Sequence, residues 1–175
     1  FGFVLEKSGG AEFFTDLSKS LVGHKRGGSA KIAIVASSLF GSISGSAVSN
    51  VVSTGVVTIP LMRKSGYSKE HSAGVEAVAS TGGQLMPPMM GIAAFLMAEI
   101  LHLPYSEIVV AAIIPALLYY IALFSHVDLL AVRDKINPLP ISEMSRPGPV
   151  FRQGWLFFIP FLVIIMGLFR FNLQP

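Results

Sequence analysis

The stretch LFGSISGSAVSNVVSTGVVTIP, Leu39 to Pro60, decides how this chain folds. It lies in an apolar region long enough to cross a membrane, yet its middle carries Ser42, Ser44, Gly45, Ser46, Ser49 and Asn50. Hydrocarbon offers a peptide group no hydrogen-bond partner, so irregular backbone at that depth survives only where protein or a water-filled cavity surrounds it. Either this segment does not face lipid, or its polar middle has a task.

Composition sets the surroundings. Of 175 residues, 52% are hydrophobic and 13% charged, against about 25% charged in an ordinary soluble domain. With a mean hydropathy of +0.65, the chain reads as a multi-pass membrane protein lying in the lipid bilayer. The net charge of +3 is spread over loops and gives no basic face for nucleic acid. Without cysteine there is no disulfide framework, thiolate chemistry or Cys-based metal site. The first residue, Phe1, is not an initiator methionine, and FRFNLQP follows directly on an apolar run, so the sequence reads as a fragment of a longer protein.

Hydropathy divides the chain into eight parts. Residues 1–28 form an amphipathic connector or arm. Its helix, over about Ala11 to Val22, places Phe13, Phe14, Leu17, Leu21 and Val22 at helical spacing, as an interfacial helix or a packed connector would. The first apolar block is 29–60 and a polar loop occupies 61–72. A second block at 73–99 is interrupted by STGGQLMPP, Ser80 to Pro88. A turn free of Lys and Arg fills 100–105, and 106–132 has the roughly 20 apolar residues a crossing needs. A loop rich in proline and charge covers 133–154, and 155–175 begins the next transmembrane helix, with Trp155 suited to an interfacial anchor.

Charge decides the first block. If it crosses fully, HKRGG at one end and RKSGYSK at the other lie on opposite sides, against the positive-inside tendency. If it enters and turns back at SISGS, both basic ends are cytoplasmic. The second block then runs outward, the uncharged 100–105 turn is periplasmic, and the basic 133–154 loop is again cytoplasmic. Each hairpin arm has about 14 residues and spans about 21 Å, which places the tip near mid-membrane. The re-entrant hairpin is favoured.

A hairpin tip and a broken helix both free backbone carbonyls and amides. Gly45 permits a tight turn; Ser44, Ser46 and Asn50 add side-chain oxygen. Gly82 and Gly83 loosen the second block, and Pro87 and Pro88 remove two amide donors, so carbonyls from Gly82 to Leu85 should lack helical partners. Two such sites side by side form an oxygen-lined cage suited to Na+, and half-helix N-termini suit a carboxylate. Serine and glycine also serve plain helix packing, and a double glycine or double proline is often only a kink. Two polar interruptions at the same depth favour a site. Glu76 is read as a first-turn residue serving the helix dipole, Glu99 as solvated at the outer interface. His24, His71, His102 and His126 fall at block ends as interfacial residues. Met86, Met89 and Met90 read as packing, with Met90 and Phe95 as further candidates for a cavity wall. A membrane-embedded serine hydrolase requires a base near the serine, and no histidine lies at mid-depth. A passive scaffold subunit without its own ion site is the other alternative.

LFGSISGSAVSNVVSTGVVTIPLMRKSGY, followed by ASTGGQLMPPMMGIAAFLMAE, resembles the large membrane subunit of tripartite ATP-independent periplasmic (TRAP) transporters. The likeness is strongest to the fused-permease branch that pairs with TAXI-type binding proteins. It covers residues 1 to about 133, and Val150 to Arg170 suits the same branch. The resemblance implies an all-helical integral membrane protein of the inner membrane, not an enzyme. It implies the elevator architecture of divalent anion/Na+ symporters, with a re-entrant hairpin facing a discontinuous transmembrane helix. It implies Na+-coupled import of organic acids handed over by a periplasmic substrate-binding protein, with a small membrane subunit or its fused equivalent. Na+ is then the coupling ion, with no other cofactor. On that resemblance Ser44, Gly45, Ser46, Asn50, Gly82, Gly83, Leu85 and Pro87 build a Na+ site. Ser46, Thr81, Gln84 and Pro88 lie nearest the substrate. Two positions depart from many ordinary large subunits: Asn50 stands where they carry Asp, and Met89 where they carry Ser.

Overall fold

The computed structural model describes residues 8–140, 144 and 147–170. Every regular element among them is helical. In chain order they are α1 (Gly10–Val22), α2 (Gly28–Ser44), α3 (Ala47–Lys64), α4 (Lys69–Gly82), α5 (Ile92–Leu101) and α6 (Tyr105–Arg133). Then come α7 (Pro147–Gly154), a 3-10 turn (Trp155–Phe158) and α8 (Ile159–Arg170).

α2 is the centre, packed by α1, α3, α4 and α6. Thirteen of its 17 residues are buried and none is exposed, as befits a helix enclosed all round. α2 and α3 are antiparallel. Ser37 meets Thr54 across 17 residues of sequence, which centres the reversal on Gly45 and Ser46, and Asn50 also reaches back to Ser37. The opposite end of this hairpin closes too: a side chain on Gly27 would come within 2.7 Å of the Tyr67 hydroxyl.

α3 is amphipathic in the inverse sense. Asn50, Ser53, Thr54 and Thr58 are buried, while Val48 and Val56 are 76% and 72% exposed. A water-soluble helix places these residues the other way round. α6 is long and apolar enough to cross a membrane, about 43 Å over its 29 residues, and most of its apolar stretch is exposed. Its first residue stacks on Phe95 of α5, ring centroids 4.7 Å apart.

The connector helix begins within a residue of its expected start. Phe13, Phe14, Leu17 and Val22 are buried, whereas Leu21 faces outward, because Phe13 and Phe14 pack on Phe157 and α2 fills the other side. The polar stretch 61–72 is mostly helix: α3 runs on through Arg63 and Lys64, whose charges suit its C-terminus, and Ser68 caps α4, accepting the His71 N–H at 3.1 Å. The second block therefore starts at Lys69, and Glu76 lies two turns inside α4 rather than in its first turn. The loop over 133–154 contains α7, started by Pro147 at a position where a missing N–H costs nothing. Residues 141–143, 145 and 146 of that loop, with residues 1–7 and 171–175, lie outside the described residues.

At the basic end of the hairpin, Lys31 is buried in α2, pairs with Asp128 of α6 and lies 4.9 Å over the Phe124 ring. Tyr67, in the α3–α4 turn, is buried with no hydrogen bond to its hydroxyl among the described residues, and burial pushes its pKa up to about 12. Tyr67→Phe removes an unpaired polar atom and is expected to raise stability by about 1 kcal/mol in detergent melting. A fall of that size instead would mean the hydroxyl is bonded.

Candidate functional site

The hairpin tip is built by local rules. Gly45 ends α2 at φ 62, its N–H donating to the Gly41 carbonyl at 2.8 Å, a conformation glycine adopts without strain. Ser46 starts α3 as its N-cap, accepting the Ser49 N–H at 3.3 Å. The Ser44 hydroxyl is buried and makes no hydrogen bond among the described residues.

The tip lies against the break between α4 and α5. The Met89 N–H donates to the Ser42 carbonyl at 3.2 Å, and a side chain on Gly45 would come within 2.1 Å of the Met90 carbonyl. One turn along, a side chain on Gly41 would meet Gly83 Cα at 2.4 Å. The two backbones touch, and only glycine at both positions allows it.

Residues 83–91 are irregular. The Gly82 carbonyl accepts the Leu85 N–H at 2.9 Å and the Gln84 carbonyl accepts the Gly91 N–H at 2.8 Å. The carbonyls of Gly83 and Leu85 accept no hydrogen bond among the described residues, since Pro87 has no N–H to offer the first and the Met89 N–H, one turn past the second, is given to Ser42. Tyr105 of α6 steadies the break, its hydroxyl meeting the Pro88 carbonyl at 3.1 Å and the Met89 carbonyl at 2.6 Å.

Of the expected ion-site residues, Ser44, Gly45, Ser46, Asn50 and Gly83 gather at this junction. Asn50 is fully buried and acts as a strut: its amide donates to the Ser37 carbonyl at 2.8 Å and the Ser80 carbonyl at 3.4 Å, joining both arms to α4. Gly82 is turned toward the Tyr119 ring, the Leu85 side chain is exposed and Pro87 is half-buried. Among the expected substrate residues, Ser46 is half-buried at the tip, Thr81 and Gln84 are exposed and Pro88 is buried. The Thr81 hydroxyl donates to its own helix at the Ala77 carbonyl, 2.7 Å away.

The centre of the polar seam escaped the sequence reading. Glu76 is 1% exposed. One carboxylate oxygen accepts from Thr54 at 2.6 Å, Ser80 at 3.1 Å and Ser37 at 3.4 Å; the other accepts from Thr58. Its signal was present: Asn50, Thr54 and Thr58 recur every four residues, as do Glu76 and Ser80, so each set lines one helix face.

Fold and junction define an all-helical protein in which a helical hairpin seats its polar tip on a broken helix. The match to known proteins fixes its family. Residues 1–173 match the family described as tripartite ATP-independent periplasmic transporter, DctM component, and the chain belongs to that family of transporters rather than to any enzyme family. It is 29% identical over 99% of its length to the sialic acid TRAP transporter permease protein SiaT of Haemophilus influenzae, covering 28% of that protein. It is 31% identical over 95% of its length to the C4-dicarboxylate TRAP transporter large permease protein DctM of Pseudomonas aeruginosa, covering 38%. It is 28% identical over 98% of its length to the 2,3-diketo-L-gulonate TRAP transporter large permease protein YiaN of Escherichia coli, covering 40%. The chain thus spans well under half the length of each.

The glycine contact gives a direct test. Gly41→Ala is expected to destabilise the protein by about 1–3 kcal/mol, as overpacking does, whereas Gly74→Ala, with open space around it, is expected to be neutral or stabilising. Thermal midpoints of the two variants measure the contrast.

Proposed function

We propose that this chain is part of the permease subunit of a Na+-coupled secondary transporter of the inner membrane. It imports organic acids delivered by a periplasmic substrate-binding protein, alongside a small membrane subunit or its fused equivalent. The observation that carries this reading is the seating of the Gly45–Ser46 tip on the 83–91 break, with a Ser44 hydroxyl at the junction and, in the break, Gly83 and Leu85 carbonyls, none of which has a hydrogen-bond partner among the described residues. These are oxygen donors without other work, and oxygen is what Na+ coordinates. Ser44, Gly45, Ser46, Asn50, Gly82, Gly83, Leu85 and Pro87 are the proposed surroundings of the ion, with Asn50 holding the arms in place. The substrate carboxylate belongs on the open side, near Ser46, Thr81, Gln84 and Pro88. Sialic acid, C4-dicarboxylates and 2,3-diketo-L-gulonate, for which the relatives are named, all carry a carboxylate.

In this reading the 29–60 hairpin is re-entrant and the valines of α3 face lipid. Na+ binds first and draws tip and break together. The ordered junction then accepts the anion, and hairpin and break move as one body, in elevator fashion, to release both inside. The pairing of motifs resembles the TAXI-associated, fused-permease branch, and that resemblance supports assigning the chain to it. Ser46→Leu fills the junction and deletes a donor; it is expected to abolish Na+-driven uptake in the full-length permease while membrane insertion is unchanged. Normal uptake by that variant would leave the scaffold reading in its place.

A further inference from the structure

Glu76 has no part in the ion and substrate site just proposed, and its position calls for one. It is a carboxyl group enclosed by α2, α3 and α4, with no Lys, Arg or His nitrogen within 4.0 Å among the described residues. The charged groups on the surrounding helices are turned elsewhere. On α2, Lys31 is taken by Asp128 of α6. On α3, Arg63 donates to the Tyr67 carbonyl at 2.5 Å and Lys64 lies at the helix end. On α4 itself, Lys69, Glu70 and His71 belong to the first turn. On α6, Tyr119 and Tyr120 give their hydroxyl hydrogens to the Val78 and Ala79 carbonyls, at 2.8 and 3.2 Å. The remaining ionisable groups of α6, Tyr105, Glu107, His126 and Arg133, lie toward its two ends. An ionised carboxylate buried without a counter-ion is costly, more so within a bilayer.

The hydroxyls around Glu76 accommodate both of its protonation states. Each hydroxyl has one hydrogen, and two of them have a backbone carbonyl within reach as a second acceptor. Thr58 lies 3.0 Å from the Thr54 carbonyl, and Thr54 lies 2.8 Å from the Asn50 carbonyl. With Glu76 ionised, Thr54, Thr58 and Ser80 turn their hydrogens to the carboxylate. With Glu76 protonated, its own O–H donates to the Thr58 oxygen, and Thr58 and Thr54 return their hydrogens to the backbone. Every group stays bonded in both states, with only O–H rotations. The hydroxyl oxygens touch the carboxylate, so the cage takes up a proton without opening and a metal ion only by parting the helices.

We propose that Glu76 is a proton-binding site: its carboxylate takes a proton from water, holds it within the Ser37, Thr54, Thr58 and Ser80 cage while the hairpin and α4 move, and returns it to water on the other side. Its coupling to substrate rests on the transport reading above; its reversible protonation does not. The test uses the full-length permease in membrane vesicles and dicyclohexylcarbodiimide, which attacks protonated carboxyl groups in apolar surroundings, with the modified residue found by mass spectrometry. Glu76 is expected to be modified at acidic pH, the yield falling about tenfold per pH unit once its midpoint is passed. Equal yield at acidic and alkaline pH, or none at Glu76, overturns the proposal. In proteoliposomes, Glu76→Gln keeps the shape of the side chain but cannot exchange a proton. The number of protons moved per substrate is expected to fall by one, and an unchanged ratio likewise overturns it. The labelling uses the parent chain, so it decides even where Glu76→Gln does not fold. Failure of the Ser46→Leu test would remove the transport reading and leave the labelling profile as it is.

Discussion

Gly41 and Gly83 touch backbone to backbone, and the rest of the arrangement depends on that contact. It lets α2 approach the end of α4 closely enough for Asn50 to reach carbonyls on both, at Ser37 and Ser80. It sets the depth at which Gly45 meets Met90, and so what the tip faces. Any side chain at either glycine would separate hairpin from break and dissolve the junction. At the other end, Lys31 and Asp128 fasten α2 to α6 where a charge can still reach water, since the Asp128 side chain is 41% exposed.

The inverse amphipathicity of α3 follows from the solvent it is built for. Between helices surrounded by hydrocarbon, burying valine gains nothing, because lipid solvates it as well as protein does. Association then relies on close packing and on hydrogen bonds between helices. α3 supplies both on its inner face, with Gly55 for contact and Asn50, Thr54 and Thr58 for bonding, while its valines look outward. The same logic explains why a carboxyl group can occupy the centre of the bundle: four hydroxyls replace the water it has lost. The α2–α3–α4 unit is held by polar contact inside an apolar exterior.

Much of this was written in the sequence. The reversal at Gly45, the break after Gly82 and the single long helix from Tyr105 all follow from glycine, proline and run length, which act locally. The depth of Glu76 did not follow, because the second block was counted from where hydropathy rises, at residue 73, whereas the helix starts at a capping Ser68 within polar sequence. A polar first turn at a membrane surface resembles a loop when only hydropathy is followed. The seam was hidden for a related reason: threonines spaced by four look like scattered hydroxyls until the partner helix is known. Lys31 was similarly obscured, since its counter-charge lies 97 residues away. Leu21 fitted the helical period of its neighbours, but period alone does not say which edge of a stripe the next helix covers.

The central claim is that the hairpin enters and leaves the membrane on one side. The structure brings its two ends together, Gly27 against Tyr67, and the proposed topology, argued from the positive-inside tendency, has both in the cytoplasm. The direct measurement is to replace Arg26 and Lys64 singly with cysteine in a cysteine-free full-length permease. Each is then probed with a membrane-impermeant thiol reagent applied from either side. Labelling of both from the cytoplasmic face alone is the predicted result. Labelling of the two from opposite faces would make the first block a full crossing and contradict the account.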